Sequence, residues 1–173
     1  MKNTTKNYII RLIFLALVLT WMGIVFKFSN QPAGDSDGTS SRVVKIIVNI
    51  IYKSKTIEEK EQLIHELNGP IRKLAHFSIY TIGGFLIVNF VNTYKLDYKK
   101  SFIYSVAIGA LYACSDEFHQ IFIDGRSGEL RDVLIDTTGI ITGVCIFLCV
   151  MKLARGYKSE NNKKIQKHDI KNI

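Results

Sequence analysis

Cysteine is scarce in this chain of 173 residues, which contains only three. Cys114, Cys145 and Cys149 all lie inside apolar stretches, so they neither imply a disulfide framework nor offer the spacing of a metal site. We interpret them as small hydrophobic residues. The chain also lacks a His-Glu-x-x-His sequence or another specific ligand motif, and we therefore predict no metal site and no cofactor.

Aromatic residues are missing from the basic C-terminal run after Tyr157, although the formal net charge is +8. Proteins that bind single-stranded nucleic acid place aromatic side chains among their basic ones. We therefore predict no nucleic-acid partner. Residues 154–173 are interpreted as a basic cytoplasmic tail beside anionic lipid.

Hydrophobic residues make up 47% of the chain and charged residues 22%, so the two kinds must be segregated. Four apolar stretches, each near the ~20 residues that cross a bilayer core, are Tyr8–Phe26, Ile71–Val91, Phe102–Ile123 and Val133–Met151. No small-x-small cleavage site follows the first stretch, so we interpret it as a retained span and not as a signal peptide. The prediction is an all-α integral membrane protein with four transmembrane helices, whose membrane domain covers residues 8–153.

Lysine and arginine collect on one side of these spans. With the N-terminus inside, the inner segments hold 13 basic and three acidic residues, whereas the outer segments hold 10 basic and 12 acidic ones. The positive-inside rule then predicts a multi-pass protein of the cell membrane with both termini in the cytoplasm.

The longest segment outside the spans, Lys27–Pro70, is predicted to be extracytoplasmic. In chain order, we predict turns at Gly34–Gly38, a short interfacial or re-entrant helix at Val43–Tyr52, an amphipathic helix at Ile57–Leu67 and a stop at Asn68–Pro70. Thr56 followed by Glu59 predicts a capping box at the start of the amphipathic helix.

Ionisable and polar residues recur near the outer ends of three spans. Arg72, His76 and Tyr80 recur every fourth residue, with Lys73 adjacent, and so share one helical face. Asp116, His119 and Gln120 are predicted to share a face of the third span, with Glu117 beside them. In the fourth span, Asp132 and Asp136 line up with Gly139 and Gly143, whose GxxxG spacing favours close helix packing.

Depth in the membrane connects these groups. At a rise of ~1.5 Å per residue, His76, Asp116 and Asp136 each lie about 10 Å inside the outer helix ends. An ionisable group in hydrocarbon costs roughly 2.5–3.5 kcal/mol on insertion scales, so these groups should face inward and find partners or water. The loop Asp124–Glu129 lies on the same side and can deliver Arg126. The sequence therefore predicts a polar pocket that opens outward.

Two kinds of chemistry fit such a pocket. Basic side chains hold phosphate or carboxylate, and buried carboxylates and histidines act as general acids and bases. The candidate catalytic residues are Asp116, Glu117, His119, His76 and Asp136. The candidate anion- or substrate-binding residues are Arg72, Lys73, Arg126, Gln120, Tyr80, Gln31 and Asp132. A divalent metal held by His76, His119 and carboxylates is the less favoured alternative.

Three other interpretations remain open. Arg72 or Lys73 paired with Asp132 or Asp136, and Arg126 paired with Glu117, would form a buried ionic lock without catalysis. A hydrolase or transferase would use the acid–base groups with an arginine clamp. A proton-coupled carrier needs polar groups through the whole membrane, and the inner halves of these spans are too apolar.

Four segments together resemble the VanZ-like family of membrane proteins. They are Phe28-Ser29-Asn30-Gln31, Arg72-Lys73-Leu74-Ala75-His76-Phe77-Ser78-Ile79-Tyr80, Ser115-Asp116-Glu117-Phe118-His119-Gln120-Ile121-Phe122 with Gly125-Arg126, and Asp132-Val133-Leu134-Ile135-Asp136-Thr137-Thr138-Gly139. The resemblance covers roughly residues 8–150 and excludes the basic tail.

This family is named for a protein that gives low-level resistance to teicoplanin, a glycopeptide that acts outside the cell. The resemblance implies an envelope protein whose partner is a cell-wall precursor or a lipid-linked envelope molecule. A housekeeping role in the envelope is an equally good implication.

Overall fold

The computed structural model describes the backbone of residues 2–171 and the side chains of residues 4–157, apart from those at 33, 35–37 and 39. Five helices make up this part of the chain: α1 (Lys2–Ser29), α2 (Ala33–Ile51), α3 (Ile57–Asn92), α4 (Tyr98–Gln120) and α5 (Leu130–Lys171). The predicted all-α class is confirmed for these residues.

Three of the described helices are long and apolar enough to cross a membrane, within Thr4–Ser29, Ile57–Asn92 and Leu130–Tyr157. They contain the first, second and fourth predicted spans. Their outer surfaces carry large apolar side chains such as Ile13, Leu19 and Leu134, which are 53%, 57% and 61% exposed. Apolar surface of this extent marks contact with lipid, and the chain is therefore a membrane protein.

The third predicted span lies within α4, which has 23 residues and is long enough to cross a bilayer. Unlike those three helices, it is not apolar enough along its length to be a candidate span. It carries Asp116 and Glu117 near its end and buried serines, Ser101 and Ser105, along one face. The four-span count therefore stays a prediction.

The loop between the first two spans is more helical than predicted. Helix α2 begins at Ala33, so the segment Gly34–Gly38, predicted as turns, is helical. The capping box of Thr56 and Glu59 at the start of α3 is confirmed. The predicted stop is wrong, because α3 continues through Pro70 to Asn92. A proline removes only one backbone donor, and tertiary packing of the flanking turns outweighs that loss.

The C-terminal boundary also differs from the expected one. Helix α5 runs without a break from Leu130 to Lys171, so the predicted tail at 154–173 begins inside a helix. No change of secondary structure separates the apolar and basic parts.

Contacts at the two ends of the bundle give the direction of each helix. At one end, Arg11 near the start of α1 bonds to Thr93 after α3, at 3.3 Å from Nε to Oγ1. At the other end, Phe26 of α1 stacks on His119 near the end of α4, with ring centroids 4.6 Å apart. Helices α1 and α4 therefore run parallel to each other, and α3 and α5 run the opposite way.

Glycines bring the backbones of α3 and α5 into direct contact. A Cβ added at Gly139 would lie 2.6 Å from the Phe77 carbonyl oxygen, and one at Gly143 would overlap the Thr81 carbonyl oxygen. Gly84 of α3 meets the Ile140 carbonyl in the same way. The predicted GxxxG packing is thus confirmed, with α3 as the partner.

Trp21 joins α1 to this pair. Its Nε1 donates to the Ile79 carbonyl oxygen at 2.9 Å, and its ring lies edge-on to Tyr80 with centroids 5.6 Å apart. The indole is only 3% exposed and covers Gly83, where a side chain would overlap it. Trp21 is the single tryptophan of the chain, so its fluorescence reports on the core.

Gly143→Ala is expected to lower the free energy of unfolding by about 1–3 kcal/mol, because the new methyl group separates two packed backbones. Unfolding in a denaturing detergent, followed by Trp21 fluorescence, measures the change. Gly23→Ala is the matched control, since nothing lies within 4 Å of a Cβ at Gly23. Equal stability of the two variants would show that the α3–α5 contact tolerates a side chain.

Candidate functional site

Two pairs of ionisable side chains join α3 to α5 at the end of the bundle where α4 terminates. Lys73 Nζ lies 3.4 Å from Asp132 Oδ1, and His76 Nδ1 lies 3.7 Å from Asp136 Oδ1. The members of the two pairs are three residues apart on α3 and four residues apart on α5. The pairs therefore lie on facing sides of the two helices, about one turn apart. The pairing of Lys73 with Asp132 that the ionic-lock interpretation predicts is present.

Helix α4 adds a buried hydrogen-bonded chain. Tyr80 donates its hydroxyl to Asp116 Oδ2 at 3.0 Å, and the Gln120 amide donates to Glu117 Oε1 at 3.1 Å. The backbone N–H of Glu129 donates to Glu117 Oε2 at 3.1 Å. Asp116, Glu117 and Gln120 are 3%, 4% and 4% exposed.

Arg126 ties the loop after α4 to α1. Its Nε donates to the Gln31 carbonyl oxygen and its Nη1 to Gln120 Oε1, both at 3.0 Å. A third contact reaches the Phe28 carbonyl oxygen at 3.5 Å. Carbonyls at a helix end lack partners within the helix, so Arg126 caps α1. Gly125 makes the turn that directs Arg126 inward, and its φ of 73° suits glycine.

A polar cavity of about 80 Å³ lies between these groups. Its charged lining comprises the basic residues Arg72, Lys73 and Arg126 and the acidic residues Glu129, Asp132 and Asp136, with His76 and Gln120 beside them. The three positive and three negative formal charges around the cavity are therefore equal in number. The cavity brings together ionisable groups from two predicted spans and the loop that follows α4.

An apolar groove of about 260 Å³ adjoins this cavity. Apolar side chains of α1, α2 and α3 form most of it, including Val25, Phe28, Val43 and Ile79, and Asp116 of α4 also lines it. Arg72, His76 and Arg126 line both spaces, so the groove and the cavity meet at these three residues.

Two predicted site residues lie elsewhere. His119 lines neither the polar cavity nor the apolar groove. Its ring stacks on Phe26, and its Nε2 lies 3.3 Å from Asn30 Oδ1. Gln31 contributes its backbone carbonyl to Arg126 and lines the apolar groove, not the polar cavity. At 100° per residue, His119 lies about 60° around α4 from Asp116 and about 100° from Gln120, on the side that contacts Phe26 of α1.

Several buried oxygen atoms of the cluster have no hydrogen-bond donor among the described residues. They are Asp116 Oδ1, Asp132 Oδ1 and both carboxylate oxygens of Asp136. Lys73 is within ion-pair distance of Asp132, but without hydrogen-bond geometry. Buried polar atoms without partners are rare, and Asp132 and Asp136, which hold three of these four oxygens, line the polar cavity.

A family model described as VanZ/LLP1 matches residues 14–152. The chain belongs to the VanZ/LLP1 family. Neither the curated proteins nor the solved structures contain a match. The VanZ/LLP1 match includes every residue that lines the cavity and the groove, and it ends before the basic tail. The resemblance carried by the four sequence segments is thereby confirmed.

Sequence reasoning missed the groove and the role of Trp21. The groove residues Val25, Phe28, Val43 and Ile79 are ordinary apolar side chains, and no local pattern distinguishes a cavity wall from a packed core. Glu129, which lines the polar cavity, was also missed. In this VanZ/LLP1 chain it lies between Arg126 and Asp132, two predicted site residues, and this position could have identified it.

Tyr80→Phe is expected to lower the free energy of unfolding by about 1–3 kcal/mol, because buried Asp116 loses its shortest hydrogen bond. Tyr104→Phe is the control, since Tyr104 is 52% exposed. Denaturing-detergent titrations of both variants, followed by Trp21 fluorescence, provide the comparison. A Tyr80→Phe protein as stable as the control would show that this hydrogen bond contributes nothing.

Proposed function

We propose that this protein is an envelope protein whose polar cavity binds the phosphate or carboxylate group of a lipid-linked molecule at the outer face of the cell membrane. The observation that carries the proposal is the junction of the charged cavity with an apolar groove at Arg72, His76 and Arg126. Such a junction suits a ligand with an anionic head and a hydrocarbon chain.

The basic side chains of the cavity support the proposal that the ligand has an anionic head. Arg72, Lys73 and Arg126 come from two different segments and line one small space. Guanidinium groups present paired N–H donors that match the oxygens of a phosphate or carboxylate, and lysine adds a point charge. Enclosure strengthens these interactions, since fewer water molecules compete.

The apolar groove supports the proposal that the ligand also has a hydrocarbon chain. It lies between three helices, and its wall is mainly apolar. An acyl or isoprenoid chain would leave the bilayer and enter the groove without exposing polar backbone. The head group would then meet the two arginines at the boundary.

The orientation proposed for the chain places this site outside the cytoplasm. In a four-span arrangement that includes α4, the opposite end of the bundle carries Arg11 over the Tyr94 ring at 3.9 Å and Arg155 over the Tyr98 ring at 5.0 Å. Tyrosine and arginine are typical of a membrane interface, and Lys99 and Lys100 lie beside them. Both termini are then cytoplasmic.

A hydrolase or transferase is the second candidate. His76, paired with Asp136, borders the cavity and is placed for acid–base chemistry on a bound head group. Asp116 and Glu117 lie behind this pair as further candidates. His119, which bonds to α1, is the least suitably placed of the proposed catalytic residues.

Arg72→Gln is expected to weaken binding of dioleoyl phosphatidic acid to the purified protein at least tenfold, which corresponds to about 1.4 kcal/mol. Calorimetric titration in detergent micelles measures the affinity, and dioleoyl phosphatidylcholine tests the need for a phosphate monoester. Arg131→Gln is the matched control, because Arg131 is exposed and lines neither space. Equal affinities of the two variants would contradict the proposed anion site.

Expression of the wild type in a susceptible strain is expected to lower susceptibility to teicoplanin, and Arg126→Lys is expected to lose this protection because lysine has no guanidinium fork. The inhibitory concentration is measured together with the amount of each protein in the membrane. Asp124→Asn, in the exposed part of the same loop, is the control. Protection that follows abundance alone would make the cluster structural, and a wild type without protection would remove the resistance role.

A further inference from the structure

Three buried carboxylates from two helices converge beside the polar cavity. One oxygen each from Asp116, Glu117 and Asp136 lies within 4.8 Å of the other two. The three residues are 3%, 4% and 0% exposed. Three carboxylates at this spacing repel one another unless protons or a cation neutralise them.

The unpartnered oxygens point to a ligand. Asp136 is fully buried, yet neither of its carboxylate oxygens accepts a hydrogen bond within the described part of the chain. Asp116 Oδ1 likewise accepts no hydrogen bond from a described residue. His76 Nδ1, the basic group that is paired with Asp136, remains 3.7 Å away. Burial without a hydrogen-bond donor among the described residues costs these oxygens free energy.

We infer that Asp116, Glu117 and Asp136 bind a hard divalent cation such as Ca²⁺ or Mg²⁺. A shared proton would join only two oxygens, whereas a cation is coordinated by all three carboxylates at once. The spacing allows this assignment, since two oxygens bound to the same Ca²⁺ lie at most about 5.2 Å apart. Mg²⁺ would draw them to about 4.0–4.2 Å.

Only oxygen ligands are offered by this trio, which favours hard cations over zinc or copper. The hydrogen bonds that Glu117 accepts from Gln120 and from the Glu129 N–H hold its carboxylate in a fixed orientation. Tyr80 and Gln120 do the same for Asp116 Oδ2, leaving Oδ1 toward the ion. Such supporting contacts orient ligands before an ion binds.

Asp136 belongs to both the trio and the lining of the polar cavity. A cation held there can complete its coordination with water or with an oxygen of a bound head group. The cavity has three basic and three acidic side chains, and a phosphate monoester would add about −1.5 to −2 charges. The cation would offset this charge; that role rests on the proposed function, whereas cation binding itself does not.

Calorimetric titration of the purified protein with Ca²⁺ or Mg²⁺ alone, after chelator treatment, tests the site. The expected result for the wild type is saturable binding of one ion. Asp136→Asn and Asp116→Asn are each expected to weaken it at least tenfold. Asp124→Asn, the same chemical change in an exposed turn, is expected to bind as the wild type does.

Absence of saturable binding by the wild type would overturn the inference, and so would wild-type affinity in both Asp136→Asn and Asp116→Asn. Trp21 fluorescence and thermal melting show whether each variant is folded. If one of the two does not fold, the other and Glu117→Gln decide, with the wild-type titration as the reference.

Phosphatidic acid binding in excess chelator separates this inference from the proposed function. Binding that persists without cations, together with no cation binding by the wild type, would remove the cation site and leave the anion site standing. Saturable cation binding without any phosphatidic acid binding would leave the cation site standing and remove the proposed anion site.

Discussion

The backbone contact between α3 and α5 determines the geometry of the polar cluster. Gly139 packs against the Phe77 carbonyl, and these two residues lie within one turn of Asp136 and His76 respectively. A side chain at Gly139 would separate the helices and the ionisable pair with them. In a membrane, where lipid competes equally for apolar side chains, such close backbone packing is a principal source of helix association.

Buried charge is the second constraint, and it follows from the first. The glycine contact holds α3 and α5 together beside their ionisable pairs, and Asp136 there is fully buried. Lys73 neutralises Asp132, whereas Arg126 is used to cap α1 and hold Gln120. Among the described residues no donor bonds to either carboxylate oxygen of Asp136, although His76 lies 3.7 Å away, and this imbalance is the feature that a ligand would relieve.

Much of the site was predictable because its signals are local. Arg72, His76 and Tyr80 share a face by their spacing, and charges inside apolar spans must face inward. His119 shows the limit of such reasoning. It lies at the edge of the predicted face, one helical step from Gln120, and its ring contacts Phe26 of α1 and Asn30. Likewise, Pro70 signals a helix end locally, but α3 continues through it because the turns on both sides pack.

The sequence by itself determined the membrane class, three helices long and apolar enough to span, the capping box at Thr56 and most of the charged residues around the cavity, because hydrophobic length and helical periodicity are properties of short segments. Only the tertiary structure decided that Asp116, Glu117 and Asp136 converge and that an apolar groove adjoins the cavity. Both features depend on the distances between helices, which side-chain packing sets across residues far apart in the chain.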